Sequence, residues 1–189
     1  MKKVITAAVC LILLAGCITI GQKTIPEQQD KLYHTQYSIF YKNGVHKTTN
    51  YREGTLLPIN SLVKVISIGG MDLTGNETFE ILSTDGLHKV IISNVKSDSG
   101  LTLFDLRHRL LDENPVDLSK YTDQEASFIR KGQPAIGMSK DILLKAMGYP
   151  PVDDTPSLNA SEWVYKRSLF QKSYYVFDEN GIVKDIIHK

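Results

Sequence analysis

Cysteine is almost missing from this chain of 189 residues: there are two, Cys10 and Cys17. If processing removes the leader and modifies Cys17, the body that follows has no thiol. An intrachain disulfide, a cysteine zinc site and a thiol nucleophile are then all excluded. Long apolar runs are lacking as well, and the single candidate, near the N-terminus, is too short to span a bilayer stably. Charge of one sign is never concentrated: 22 basic residues face 21 acidic ones. The basic surface that nucleic-acid binders display is therefore not expected, and neither is a nucleic-acid partner. Catalytic patterns are equally scarce. His34, His46, His88, His108 and His188 sit in no nucleophile motif, and Ser67, Ser83 and Ser93 fall in strand patterns rather than in G-x-S-x-G. His46 and His88 read as solvent-facing strand residues, and His108 as part of the polar side of a helix. Asp153-Asp154 read as solvated carboxylates in a proline-flanked loop without the spaced oxygen ligands of a calcium site. The segment from Gly69 to Asn76 has glycines but no following Lys-Ser/Thr and no opening helix, so it reads as a plain turn. The expectation is a non-enzyme with no cofactor and no metal.

What is present begins with the leader, MKKVITAAVCLILLAGC. Lys2 and Lys3 precede a short apolar run that ends in Leu14-Ala15-Gly16-Cys17, the pattern of a lipobox. This predicts a signal peptide over residues 1–16 and lipidation, with palmitate among the acyl chains, at Cys17. Several acyl chains at about 0.8 kcal/mol per buried CH₂ hold a protein far more firmly than one. Ile18 stands where an aspartate would favour retention at the inner membrane in Gram-negative bacteria, so the expected address is the periplasmic face of the outer membrane. Loss of Lys2 and Lys3 leaves 20 basic against 21 acidic residues. The polar residues from Gly21 to Asp30 complete a lipidated tether assigned to 17–32.

Residues 33–100 read as strand after strand. Tyr37 to Tyr41 and Val45 to Tyr51 flank Asn43-Gly44, the strongest short hairpin signal, and Gly54 to Pro58 reads as a turn. Leu62 to Ile68 is rich in β-branched residues, and Thr78 to Leu82 and Leu87 to Ile92 form a second hairpin across Asp85-Gly86. The fold class is α+β, with this half forming a small barrel, SH3-like, or a strongly bent sheet. Residues 101–117 supply a connecting helix, Thr102 to Asn114. Its apolar face holds Leu103, Leu106 and Leu110 with Phe104 and Leu111 alongside. Asp105 and Arg109 are spaced to pair, and Arg107, His108 and Arg109 lie on the wet face.

Residues 118–189 predict two short helices and three strands. Thr122 with Glu125 makes a capping box, Gly132 ends the first helix, Ser139 caps the second with Asp141 in its first turn, and Gly148 with Pro150 and Pro151 stops it. Helices this short need burial of Ile142, Leu143, Ala146 and Met147 to persist. Strands over Ser161–Lys166, Ser173–Asp178 and Ile182–Ile187 alternate Trp163, Tyr165, Tyr175 and Phe177 on one face, with Asn180-Gly181 turning the last pair. Between the first two strands Arg167, Leu169 and Phe170 form the candidate partner-binding loop, which either tucks onto the sheet or stands exposed.

Ile136-Gly137-Met138-Ser139-Lys140-Asp141, Gly148-Tyr149-Pro150, Trp163-Val164-Tyr165, Tyr175-Val176-Phe177-Asp178 and Asn180-Gly181-Ile182-Val183, in that order, resemble the SmpA/OmlA (BamE-like) family of small outer-membrane lipoproteins. The resemblance is confined to the C-terminal region. It implies an ααβββ domain that serves as a binding accessory in outer-membrane assembly or maintenance, with an envelope protein as partner. Two other readings of function are a small-ligand or envelope-polymer binder using a groove between the halves, and a modulator or inhibitor of an envelope enzyme.

Overall fold

The structure, a computed structural model, describes residues 31–189; the leader, Cys17 and nearly all of the 17–32 tether lie outside the described residues. In chain order the elements are β1 (Leu32–Thr35), β2 (Ile39–Tyr41), β3 (Val45–Lys47), β4 (Thr55–Leu57), β5 (Leu62–Met71), β6 (Glu77–Ser83), β7 (Lys89–Ser93), α1 (Lys96–Ser99), α2 (Leu103–Leu110), β8 (Leu111–Asp112), α3 (Asp123–Lys131), α4 (Lys140–Met147), β9 (Glu162–Lys166), β10 (Lys172–Phe177) and β11 (Val183–His188). The protein is α+β. A curled mixed sheet runs β3-β7-β6-β5-β1-β8, β2 pairs with β4, and a separate sheet runs β11-β10-β9.

The first sheet curls because β5 changes register twice against β6, between Val65 and Ser67 and between Ile68 and Gly70. Bulges of this kind bend a strand and raise its twist. The sheet keeps two edges, β3 and β8, so the N-terminal half is a bent sheet and not a closed barrel. Its inner face buries Val63, Val65, Phe79, Ile81, Val90 and Ile92, which share a core with Leu103, Leu106 and Leu110 of α2. Each large aliphatic side chain so buried contributes roughly 1.5–3 kcal/mol.

Several expectations are corrected here. Asn43 and Gly44 do turn the chain with positive φ, and Lys42 and Val45 exchange N–H···O bonds of 3.0 and 3.1 Å. The ladder stops there. Instead β2 pairs with β4, inside the segment read as a turn, and β3 pairs in parallel with β7. The strand β5 continues through Gly69 and Gly70 to Met71, so the loop shrinks to its tip. That tip is tied by Asp72, whose carboxylate accepts from Thr74, Asn76 and Ser93. The helix expected to reach Asn114 ends at Leu110, because Leu111 and Asp112 turn extended to pair with Thr35 and His34 of β1. An edge strand left open on the far side of β1 would carry unpaired backbone groups, and β8 covers it. Phe104 is exposed, Arg107 is buried beside Tyr33, and Arg109 lies over the Tyr149 ring while Asp105 bonds to Thr102. The wet face of α2 is therefore narrower than its sequence suggests.

The last third follows the order helix, helix, strand, strand, strand. Thr122 and Glu125 form the reciprocal capping box of α3, Gly132 ends it at φ 60°, and the Ser139 side chain accepts from Ile142 N–H at the start of α4. Ile142, Leu143, Ala146 and Met147 are buried with Trp163, Tyr165, Tyr175 and Phe177. Trp163 meets Phe177, and Tyr165 meets Tyr175, edge to face at 4.9 and 5.4 Å, an arrangement favoured by the ring quadrupoles.

Candidate functional site

The hairpin formed by β9 and β10 pairs Lys166 with Lys172 and then leaves the sheet. Arg167 N–H donates to Gln171 C=O at 2.7 Å, which closes a short loop and turns its contents outward. Leu169 is 74% exposed and Phe170 88%, with Arg167 exposed beside them. The inner face of the sheet is already filled by the four aromatic residues, so these two apolar side chains have nowhere to tuck. All three residues singled out from the sequence are thus brought together on one loop.

The root of the loop is clamped. Lys166 Nζ lies 3.0 Å from Asp98, 2.9 Å from Asp153 and 3.6 Å from Asp154, and Lys172 Nζ lies 2.6 Å from Asp154. Thr49 Oγ1 donates to the other oxygen of Asp98 at 2.6 Å. Burial works against the Lys166 charge, but the bonds it donates to Asp153 and Asp98 outweigh that and raise its pKa above the ordinary lysine value. Asp153 and Asp154 are therefore an ion-pair hub and not the merely solvated pair expected.

Both cores meet at a joint built on helix C-termini. The carbonyls that close α3 and α4 have no partners inside their own helices, and the N-terminal half supplies donors for them. Arg52 donates to Gly132 C=O and to Met147 C=O, Asn50 Nδ2 donates to Met147 C=O at 2.7 Å, and Ser38 Oγ donates to Ile129 C=O at 2.8 Å. Within the C-terminal half, Tyr165 O–H donates to Gly148 C=O, just beyond α4, at 2.8 Å. A cation at two helix C-termini is also favoured by their dipoles. Burial lowers the Arg52 pKa to about 10, so the guanidinium stays charged at neutral pH. Asn50 and Arg52 carry no linear signal; reading them from sequence would have required knowing which carbonyls they face.

His46 lies in the same joint and is buried, not solvent-facing, with Nδ1 2.8 Å from Phe40 C=O. A carbonyl only accepts, so Nδ1 carries the proton. Burial, reinforced by the Arg52 charge against the opposing Phe40 bond, lowers its pKa to about 4. An unfolded histidine titrates near 6.5, so its folded pKa is depressed: stability is complete above about pH 6.5 and is lost as the pH falls towards 4. Over that window the loss is expected to reach about 3 kcal/mol. Chemical denaturation from pH 7 to 4 checks this, and His46→Asn, which keeps a donor for Phe40, should flatten the slope.

The joint holds little free space. A cavity of about 20 Å³ is lined by Tyr37, His46, Asn50, Asp98, Arg109 and Tyr149, room for about one water, and a second of about 80 Å³ lies between Gln36, Tyr37 and Arg109 on one side and Asp141, Leu144 and Lys145 on the other. A larger pocket of about 230 Å³ opens elsewhere, beside Phe40, Val45 and Tyr51, with Lys42, Lys47 and Glu53. Among serine–histidine pairs, Ser173 Oγ is 2.8 Å from His188 Nδ1. Ser173 is buried beneath the sheet, and no carboxylate contacts His188 among the described residues. His88 is half-buried and bonded to Tyr41 O–H at 2.9 Å. Cys17 lies outside the described residues.

Compared with protein-family models, curated proteins and solved structures, the chain matches none of them.

Proposed function

We propose that this chain is a non-catalytic lipoprotein of the bacterial envelope, held at the periplasmic face of the outer membrane through acylated Cys17. In this reading it acts as a protein-binding accessory or scaffold in outer-membrane assembly or maintenance, and its C-terminal third is a BamE-like ααβββ module. The observation that carries the reading is the Arg167–Gln171 loop, with Leu169 74% and Phe170 88% exposed on a hairpin whose root is held by ion pairs. Two large apolar side chains on a braced loop bind with little ordering cost, and a neighbouring cation such as Arg167 aids orientation. Protein interfaces gather their energy on a few such anchors.

The test is capture of envelope proteins from membranes by the tagged full chain. Leu169→Ala with Phe170→Ala should reduce capture at least tenfold while leaving the unfolding midpoint unchanged. Undiminished capture would remove the loop from the proposal. In the same preparation Cys17→Ser should abolish palmitate incorporation and membrane retention; a variant that still labels would remove the anchor.

A small-ligand reading draws more support from the 230 Å³ pocket beside Phe40 and Tyr51 than from the joint, whose cavities hold about 20 and 80 Å³. Its lining mixes Phe40, Val45 and Tyr51 with the charged Lys42, Lys47 and Glu53, which suits a small ligand carrying both apolar and ionic groups.

A further inference from the structure

The C-terminal sheet caps the centre of one edge and leaves the end of the other open. At β9 the outer edge is capped at its centre, where the Thr155 hydroxyl accepts from Val164 N–H at 2.8 Å. At β11 cover ends early. Val183 exchanges bonds of 2.8 Å with Gly137 and Met138, and a register shift follows. Beyond it Lys172 and Lys189 exchange both backbone bonds, at 2.8 and 2.9 Å, and Ile187 and Asp185 stand opposite Tyr174 and Val176. Antiparallel pairing alternates, so Asp185, Ile187 and Lys189 direct their backbone groups to β10 while Ile186 and His188 direct theirs outward. The Ile186 carbonyl and both backbone groups of His188 have no partner among the described residues.

We propose that this edge pairs with the same edge of a second copy of the chain, antiparallel, about a two-fold axis at Ile187. In that register Ile186 of each copy faces His188 of the other, which allows four backbone hydrogen bonds. Ile187 faces Ile187, and Asp185 faces Lys189 twice. No other antiparallel register that matches the outward residues sets Asp185 against Lys189. Both charges are exposed and lack an ionic partner among the described residues. Asp185 Oδ1 instead accepts from Ile186 N–H at 2.9 Å, and Lys189 Nζ lies 4.8 Å from the centre of the Tyr174 ring. Pairing gives each charge its opposite and frees the Ile186 N–H for the ladder. The self-complementarity of Asp185-Ile187-Lys189 on one face is what selects a second copy over an unrelated strand, since an isologous interface needs the same patch to match itself. Ile187 is 37% exposed and would be covered at the axis.

The experiment uses the full chain in detergent micelles, with mass measured by light scattering across a dilution series. A dimer is expected. Asp185→Lys should weaken it about tenfold or more, because like charges then oppose each other twice. Adding Lys189→Asp to that variant should restore it. Ile187→Cys should form an interchain disulfide under mild oxidation, since residues at such a non-hydrogen-bonded position stand about 4.5 Å apart between Cα atoms, within disulfide reach. Leu87→Cys, on the other half and more accessible at 78% exposure against 37% for Ile187, is the control, with the unsubstituted chain as background. A chain that stays monomeric overturns the proposal. So does a dimer indifferent to Asp185→Lys, or crosslinking of Ile187→Cys no faster than of Leu87→Cys.

Discussion

Gly148→Ala is expected to cost about 3 kcal/mol or more in urea unfolding. Two separate penalties add. Gly148 has φ 72° and ψ −168°, a region open essentially to glycine alone, and forcing another residue there costs of order 1–3 kcal/mol. A Cβ at this position would also stand 2.8 and 2.9 Å from two ring carbons of Tyr37 and 3.3 Å from Asn50 Nδ2. Neither neighbour can give way easily. Tyr37 is buried and packs edge-on against Tyr149 at 5.7 Å, and Asn50 is held by Met147 and Tyr149 carbonyls. The comparison is Gly69→Ala, where φ is 83° but nothing lies within 4 Å of the added carbon. Only the backbone penalty, about 1 kcal/mol, is expected there. Equal losses at the two sites would show that the Tyr37 contact contributes nothing.

The same glycine illustrates what local chemistry conveys and what it leaves out. That Gly148 ends α4 follows from its position before Pro150 and Pro151. That its carbonyl receives Tyr165 O–H depends on how α4 lies on the C-terminal sheet, and that its missing Cβ makes room for Tyr37 depends on where the two halves meet. The boundaries of α3 and α4, and the alternation of Trp163, Tyr165, Tyr175 and Phe177, were legible because caps and strand periodicity act within a few residues. The failures have the opposite origin. Asn43-Gly44 specifies a turn, but which strand β3 joins is decided by β7, far along the chain. Leu111 suits a helix locally, yet the open edge of β1 recruits it as a strand. His46 and Arg107 look like surface residues until Phe40 C=O and the Tyr33 ring are seen beside them. For the candidate loop, sequence supplied Arg167, Leu169 and Phe170 but left their exposure undecided; the packed aromatic face beneath the sheet is what turns them outward. The bracing of that loop was not legible, since Asp98 and Asp153 converge on Lys166 from separate segments.

That convergence makes Lys166 the second position of large effect. Its ammonium sits between Asp98, whose side chain is 7% exposed, and Asp153, which is 45% exposed. Lys166→Met removes the cation and leaves the Asp98 carboxylate in the interior with Thr49 as its one remaining side-chain donor. Breaking a buried pair from one side typically costs 3–5 kcal/mol, because the charge left behind is uncompensated. A loss of about 3 kcal/mol is expected here, since Asp153 and Asp154 are partly relieved by solvent and by Lys172. The double variant Lys166→Met with Asp98→Asn separates the charge effect from simple packing. An asparagine still accepts from Thr49 but carries no charge, so the pair of changes should recover half or more of the loss. A double variant as unstable as Lys166→Met alone would mean that the lysine stem, and not its charge, holds the hairpin. The loop adds a functional readout. If the clamp is what presents Leu169 and Phe170 in one orientation, Lys166→Met should weaken partner capture even at temperatures where the protein remains folded, and the double variant should stay weak. Neutralising Asp98 restores the core but does not rebuild the anchor at the root of the hairpin.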